Sequence, residues 1–131
     1  MIALDTNVLV RFLVDDDRTH SARAARLVER VVAREEALFV SDVVVCETVW
    51  VLLSAYQVSR AEVGDILGQL FKATHLGFRD LDGLTRALAA FAGGKGDFAD
   101  YLIQEHARAA GCDEVATFDR TLLKEAGFTA P

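Results

Sequence analysis

Acidic side chains interrupt apolar stretches of this chain at five positions. Asp5 follows Met1-Ile2-Ala3-Leu4, and Glu47 separates Val43-Val44-Val45-Cys46 from Val49-Trp50-Val51-Leu52-Leu53. Asp97 and Asp100 flank Phe98 ahead of Tyr101-Leu102-Ile103, and Asp119 closes Val115-Ala116-Thr117-Phe118. A carboxylate that leaves water loses heavily unless something satisfies its charge. A shared cation would satisfy several at once, and magnesium or manganese prefers hard oxygen ligands of this kind. Gathered without a cation, such groups repel and raise one another's pKa values.

The five differ in weight. Asp5 and Asp119 each stand between a strand-like run and a helix-like run, where a helix cap is an equally good reading. Glu47 has Val43, Trp50, Val51 and Ser54 as its helical neighbours, so it is expected to point into or along the core. Asp97 and Asp100 are three residues apart and share one side of a helix. Asp97 alone could simply favour the positive helix end. Asp100 lies beyond the cap, close to the buried side that Ile103, Ala107 and Ala110 are expected to carry onward, and is the preferred ligand of the pair. Thr6, Asn7 and Thr117 are placed to steer the carboxylates by hydrogen bonds.

Those residues need elements to position them. Residues 1–4 read as a buried strand, and Thr6 as the cap of a helix from Val8 to about Leu13 that Asp15-Asp16-Asp17 break. A second helix is predicted over Thr19–Arg34, with Ala24, Leu27, Val28 and Val31 as its apolar side. A strand over Ala37–Val40 precedes a helix capped by Ser41 or Asp42 that ends near Ala55. Ser59 with Glu62 matches a capping box opening a helix to about Lys72. His75–Phe78 reads as a strand, and a helix starts at Asp80 or Asp82 and runs to about Phe91. The stretch 92–96 is a glycine-rich loop expected to need unusual backbone angles. Asp97–Ala110 is helical, with Gly111 as its stop. Glu114–Ala116 is a strand, and Arg120–Glu125 a last short helix.

Strands alternating with helices imply an α/β fold in which helices flank a parallel sheet. In such sheets ligands bind beyond the carboxyl ends of the strands. Asp5 and Asp119 share that edge if their strands are neighbours.

The chain has 131 residues, 52% of them hydrophobic, and reads as one domain with a real core. The apolar start lacks a basic leader and meets Asp5 at once, so a signal peptide is not expected. No stretch approaches the roughly 20 apolar residues of a membrane span. A soluble, cytoplasmic protein is expected. Cys46 and Cys112 form no metal-ligand spacing and read as free thiols. His20, His75 and His106 are scattered and take no part in the expected chemistry. A net charge of −6 argues against coating nucleic acid by bulk electrostatics, though not against an enzyme whose acidic site a metal inverts. Arg23, Arg26, Arg30 and Arg34 recur on one helix side. The plainer reading is a solvated face; the sharper one is a stripe for phosphates or an acidic partner.

At its acidic positions the chain resembles the PIN-domain ribonucleases, and among them the VapC toxins of bacterial toxin–antitoxin pairs. The resemblance covers nearly the whole chain. It rests on Ala3-Leu4-Asp5-Thr6-Asn7-Val8-Leu9, Val45-Cys46-Glu47-Thr48-Val49-Trp50-Val51-Leu52, Asp97-Phe98-Ala99-Asp100-Tyr101-Leu102-Ile103 and Ala116-Thr117-Phe118-Asp119, in that order. It implies a three-layer sandwich whose short parallel sheet of four to five strands is flanked by helices. It matches Asp5, Glu47, Asp100 and Asp119 to the family's acidic metal site. Asp97 falls on a further acidic position, and Thr117 on a small hydroxyl residue near the last aspartate. It implies Mg²⁺- or Mn²⁺-dependent cleavage of RNA, frequently transfer RNA, leaving a 5′-phosphate and a 3′-hydroxyl. Homodimerisation and a VapB-like antitoxin are the implied partners.

Two other readings compete. A haloacid-dehalogenase-like phosphatase needs a second acid two residues after its nucleophilic aspartate, and Asn7 stands there. A non-catalytic interaction module of the same fold should have lost carboxylates, and none is missing here.

Overall fold

Each helix of the chain opens where a short polar side chain can take the first free backbone N–H groups. A computed structural model describes residues 1–14 and 17–131. Asp15 and Asp16, expected to break the first helix, lie outside the described residues. The chain divides into two compact units, Met1–Arg79 and Asp80–Pro131.

The first unit runs β1 (Ile2–Ala3), α1 (Thr6–Leu13), α2 (Arg18–Ala33), β2 (Leu38–Phe39), α3 (Asp42–Ser54), α4 (Arg60–Lys72) and β3 (Leu76–Gly77). The strands form one parallel sheet in the order β1-β2-β3, with Ile2 opposite Leu38 and Leu38 opposite Leu76. The strands are two residues each, shorter than the sequence implied. Hydrogen bonds from Leu4 N–H to Phe39 O (2.8 Å) and Val40 N–H to Gly77 O (2.9 Å) carry the pairing one residue further. β1 is not the buried strand expected, since Met1 and Ile2 are exposed and Leu4 is the first residue inside. α1 packs on α2 and α3, and α3 on α4. Leu9, Val10, Leu38, Val45, Leu52, Val63 and Leu67 are the core of this unit.

Caps explain most helix boundaries. Asp17 accepts His20 N–H (3.1 Å) at the start of α2, and Ser59 accepts Glu62 N–H (3.1 Å) at α4. Ser41, the better placed of two candidates, accepts Val44 N–H (3.2 Å) at α3. Asp42 is instead the first helical residue, buried, with Arg79 Nη2 3.2 Å from its carboxylate.

The second unit runs α5 (Leu81–Gly93), α6 (Phe98–Ala109), β4 (Val115–Ala116), a 3₁₀ turn (Leu122–Lys124) and β5 (Phe128–Thr129). Asp80 opens α5 by accepting Gly83 N–H at 3.0 Å. Gly111, with φ +89°, ends α6 in the left-handed conformation that only glycine adopts freely. β4 pairs in parallel with β5, a strand the sequence did not reveal, in a separate two-stranded sheet. The last helix is a single 3₁₀ turn. Leu84, Phe91, Phe98, Tyr101, Leu102 and Leu122 form the core here, with the Phe91 and Phe98 rings edge to face at 6.0 Å. The buried side of α6 carries Phe98, Tyr101, Leu102 and Glu105. Ile103, expected on that side, is exposed.

Among the described residues no helix is long and apolar enough to cross a membrane. Short parallel sheets flanked by helices make this an α/β fold.

Candidate functional site

The first unit holds one set of the acidic residues. Asp5 rather than Thr6 caps α1. Its backbone is extended, and its Oδ1 accepts the Thr6 N–H at 2.7 Å. A carboxylate is the stronger cap because it also meets the positive helix end. That frees the Thr6 hydroxyl for another task. Thr6 is buried, and its Oγ1 donates to Glu47 Oε1 across 3.2 Å. One threonine therefore ties the start of α1 to the middle of α3. Asn7, the next residue, lines a cavity between α1 and α2.

Glu47 does not point into the core. It is exposed, and so are its helical neighbours Val43 and Trp50, the latter 69% accessible. The expectation failed because α3 is apolar nearly all round. An apolar neighbourhood cannot mark the inward side where both sides are apolar. The buried stripe is Val44, Val45, Thr48, Val49 and Leu52. Cys46, beside this stripe, is a free half-buried thiol. Burial, with the nearby charges of Asp42 and Glu47, pushes its pKa up to about 11. A thiol held protonated in this way is a poor nucleophile.

The second unit holds the other set, around the first turn of α6. Asp97 is the cap residue, and its N–H donates to Asp100 Oδ2 at 2.8 Å. The Asp100 N–H in turn donates to the Asp97 carbonyl at 3.0 Å. Asp100 is half-buried, and its carboxyl is held above the ordinary range. Burial is the main cause; the charges of Asp97, Asp119 and Glu125 add to it, and the Asp97 N–H opposes it. Asp119 is exposed. Its Oδ1 accepts Thr121 N–H (2.8 Å), while its own N–H donates to Thr117 Oγ1 (3.0 Å). Thr117 thus sets the Asp119 backbone, and the turn that follows uses one carboxylate oxygen of the two.

Glu125 belongs to this neighbourhood and was not found by sequence. It accepts the Tyr101 hydroxyl at Oε1 (2.7 Å) and the Lys95 N–H at Oε2 (3.3 Å). The Tyr101 oxygen also accepts Gly96 N–H at 2.9 Å. These bonds explain the glycines of the preceding loop. A Cβ at Gly94 would collide with the Tyr101 hydroxyl and Glu125, and one at Gly96 would meet Leu122. They serve close approach; of the glycines, only Gly111 and Gly127 adopt positive φ.

The donors are carboxylate oxygens in both units, the right chemistry for a hard divalent ion. Each set also leaves acceptor capacity unused: Asp5 and Asp119 each engage one oxygen with backbone. The repulsion on Asp100 is of the kind a cation relieves. Among the described residues, however, no three His, Cys, Asp or Glu side chains are grouped as a formed metal cage. The two sets are local arrangements, each held by its own hydrogen bonds.

A comparison with curated proteins returns no match. A family profile described as PIN domain matches residues 2–128. That span includes every one of these carboxylates, from the Asp5 cap to the Asp119 turn and Glu125, and the chain belongs to the PIN domain family.

Proposed function

We propose that this protein is a divalent-metal-dependent endoribonuclease and the toxin of a toxin–antitoxin pair. The family supplies the coarser part, since PIN domains are in general metal-dependent nucleases. The observation that supports the reading most is the raised carboxyl of Asp100 beside Asp97, Asp119 and Glu125. Burial is the main cause and the neighbouring charges add to it, and carboxyls perturbed in this way gather at functional sites.

In this reading Asp5 and Asp100 would hold the principal Mg²⁺ or Mn²⁺, Glu47 and Asp119 would complete its surroundings, and Asp97 would be a further ligand. When bound, the ion would polarise the phosphate and lower the pKa of the attacking water. The chain's own residues position the rest. Thr6 orients Glu47 through the 3.2 Å hydroxyl bond, and the backbone at Thr121 fixes Asp119 Oδ1. Glu47 or Asp119 orients the water and accepts its proton. Attack at phosphorus breaks the bond to the 3′ oxygen, which leaves as the hydroxyl, and the 5′ side keeps the phosphate. No histidine or cysteine nucleophile is needed. A homodimer acting in the cytoplasm, with transfer RNA among its substrates and a VapB-like antitoxin covering it, completes the proposal. The haloacid-dehalogenase-like phosphatase gives way to the family match.

The test is end sequencing of RNA incubated with the pure protein in Mg²⁺, in chelator, and with an Asp5→Asn variant. Cleavage leaving 5′-phosphates should vanish in chelator and in the variant while the variant's melting curve stays intact. Equal cleavage by Asp5→Asn, or cleavage that persists in chelator, would refute the mechanism.

A further inference from the structure

The geometry points to a binding groove for the phosphate backbone of single-stranded RNA between α1 and α2, floored by apolar side chains and edged by arginines. The inference rests on the nuclease reading above and adds where the strand is held. A cavity of about 700 Å³ lies there, lined by Asn7, Val8 and Arg11 from α1 and by Arg23, Arg26 and Arg30 from α2. The stripe seen in the sequence therefore does not simply face open water. Three of its four arginines converge on a concave surface, and Arg11 joins them from the opposite helix.

Charge makes this concentration meaningful. The protein carries a net −6, yet this wall is cationic. Glu29 is the one acidic residue within α2. Arg23, Arg26 and Arg30 are exposed, and among the described residues none of the three forms an ion pair. Arg11 is half-buried and donates Nη1 to the Tyr56 hydroxyl at 3.2 Å, which holds the guanidinium in place. Asn7 lines the groove two residues after Asp5, so the groove borders the end of α1 that carries the carboxylate.

The dimensions suit a nucleic acid strand. Arg23 to Arg30 spans roughly 10 Å along the helix at about 1.5 Å per residue. That is about three nucleotide steps at the roughly 3.4 Å rise of a stacked strand. Guanidinium groups bind phosphate oxygens in a two-pronged geometry that lysine cannot copy. None of these contacts reads a base, so the groove should hold RNA regardless of sequence and leave selectivity to other surfaces.

The test is fluorescence anisotropy in chelator with a 5′-labelled mixed-sequence RNA of about 12 nucleotides. Wild type is compared with an Arg23→Ala, Arg26→Ala, Arg30→Ala triple variant and with the corresponding triple lysine variant. All three side chains are exposed, so folding should survive, and a melting curve checks that. The alanine triple should bind about tenfold or more weakly. Its salt dependence should flatten by about two in slope, at roughly 0.7 per phosphate contact on a single strand. The lysine triple should recover part of the loss, and KM for Mg²⁺-dependent cleavage should rise with the alanine triple. Equal Kd and equal salt slope would overturn the groove. So would a triple variant that loses a labelled polyglutamate peptide yet keeps RNA, since the groove would then serve an acidic polypeptide. The two proposals fail separately. Arginine-dependent RNA binding without any cleavage sinks the nuclease and spares the groove. Cleavage with an unchanged KM does the reverse.

Discussion

Helix α6 treats carboxylates differently along its length. Near its end, Glu105 is buried and fully compensated: Arg86 Nε lies 2.9 Å from one oxygen and Arg108 Nη1 2.7 Å from the other. At its start, Asp97 and Asp100 have Asp119 and Glu125 as electrostatic company, and among the described residues none of the four forms an ion pair. The helix therefore neutralises the carboxylate it buries fully, while the exposed and half-buried carboxylates around its start have no cationic partner among the described residues. Asp42 follows the first pattern, buried against Arg79 at 3.2 Å. The lesson is that a buried acid in this chain is a structural one, paired with arginine. The acids proposed to act are exposed or, like Asp100, only half-buried, where an ion and a substrate can reach them.

Substitutions at the two ends of α6 should separate these roles. Asp100→Asn should lower Mg²⁺-dependent RNA cleavage by roughly 10³-fold, about 4 kcal/mol of activation free energy, with the fold intact. A steady-state cleavage assay measures it, and a variant within threefold of wild type would erase the distinction. Next in size is the response to metal. Mg²⁺ at about 100 times its Kd should stabilise wild type by about 2.7 kcal/mol in a thermal or urea melt, and Asp100→Asn by clearly less. No response in wild type at millimolar Mg²⁺ would favour a non-catalytic module.

Removing both arginines from Glu105, as Arg86→Ala with Arg108→Ala, leaves a buried carboxylate without its partners and should lower the midpoint of urea unfolding. The double variant should still respond to Mg²⁺; losing that response would join what the comparison keeps apart. The smallest effect is pH-dependent. Asp100 titrates above its ordinary 3.8 in the fold, so its protonated form is the one the fold favours. The stabilisation is complete below pH about 3.8 and is lost as pH rises through the higher folded value. Metal-free wild type should therefore lose stability relative to Asp100→Asn as pH rises above 3.8. Parallel profiles for the two proteins would mean that neither the burial of Asp100 nor its neighbouring charges are felt.

Much of the fold was legible because its signals are short-range. Asp80, Ser59 and Ser41 act over three residues, and Gly111 stops a helix by its own backbone. The acidic positions were legible as types. Their surroundings were not. Glu47 was expected to turn inward because α3 offers no polar contrast on its far side. Glu125 escaped notice because its partner, Tyr101, stands 24 residues away in the chain. β5 is two residues long, too short for any alternation to show.

Local chemistry alone therefore marked the openings of α3, α4 and α5, the stop at Gly111, which acids interrupt apolar runs, and that arginines recur along one side of α2. Caps, turns and helical spacing reach no further than about four residues. Tertiary packing decided the rest. It chose which side of α3 faces water, joined Thr6 to Glu47, and gave Glu105 its arginines. It also turned the stripe on α2 into a groove by setting α1 beside it. Those outcomes depend on which elements meet, and the contacts that decide it lie tens of residues apart in the chain.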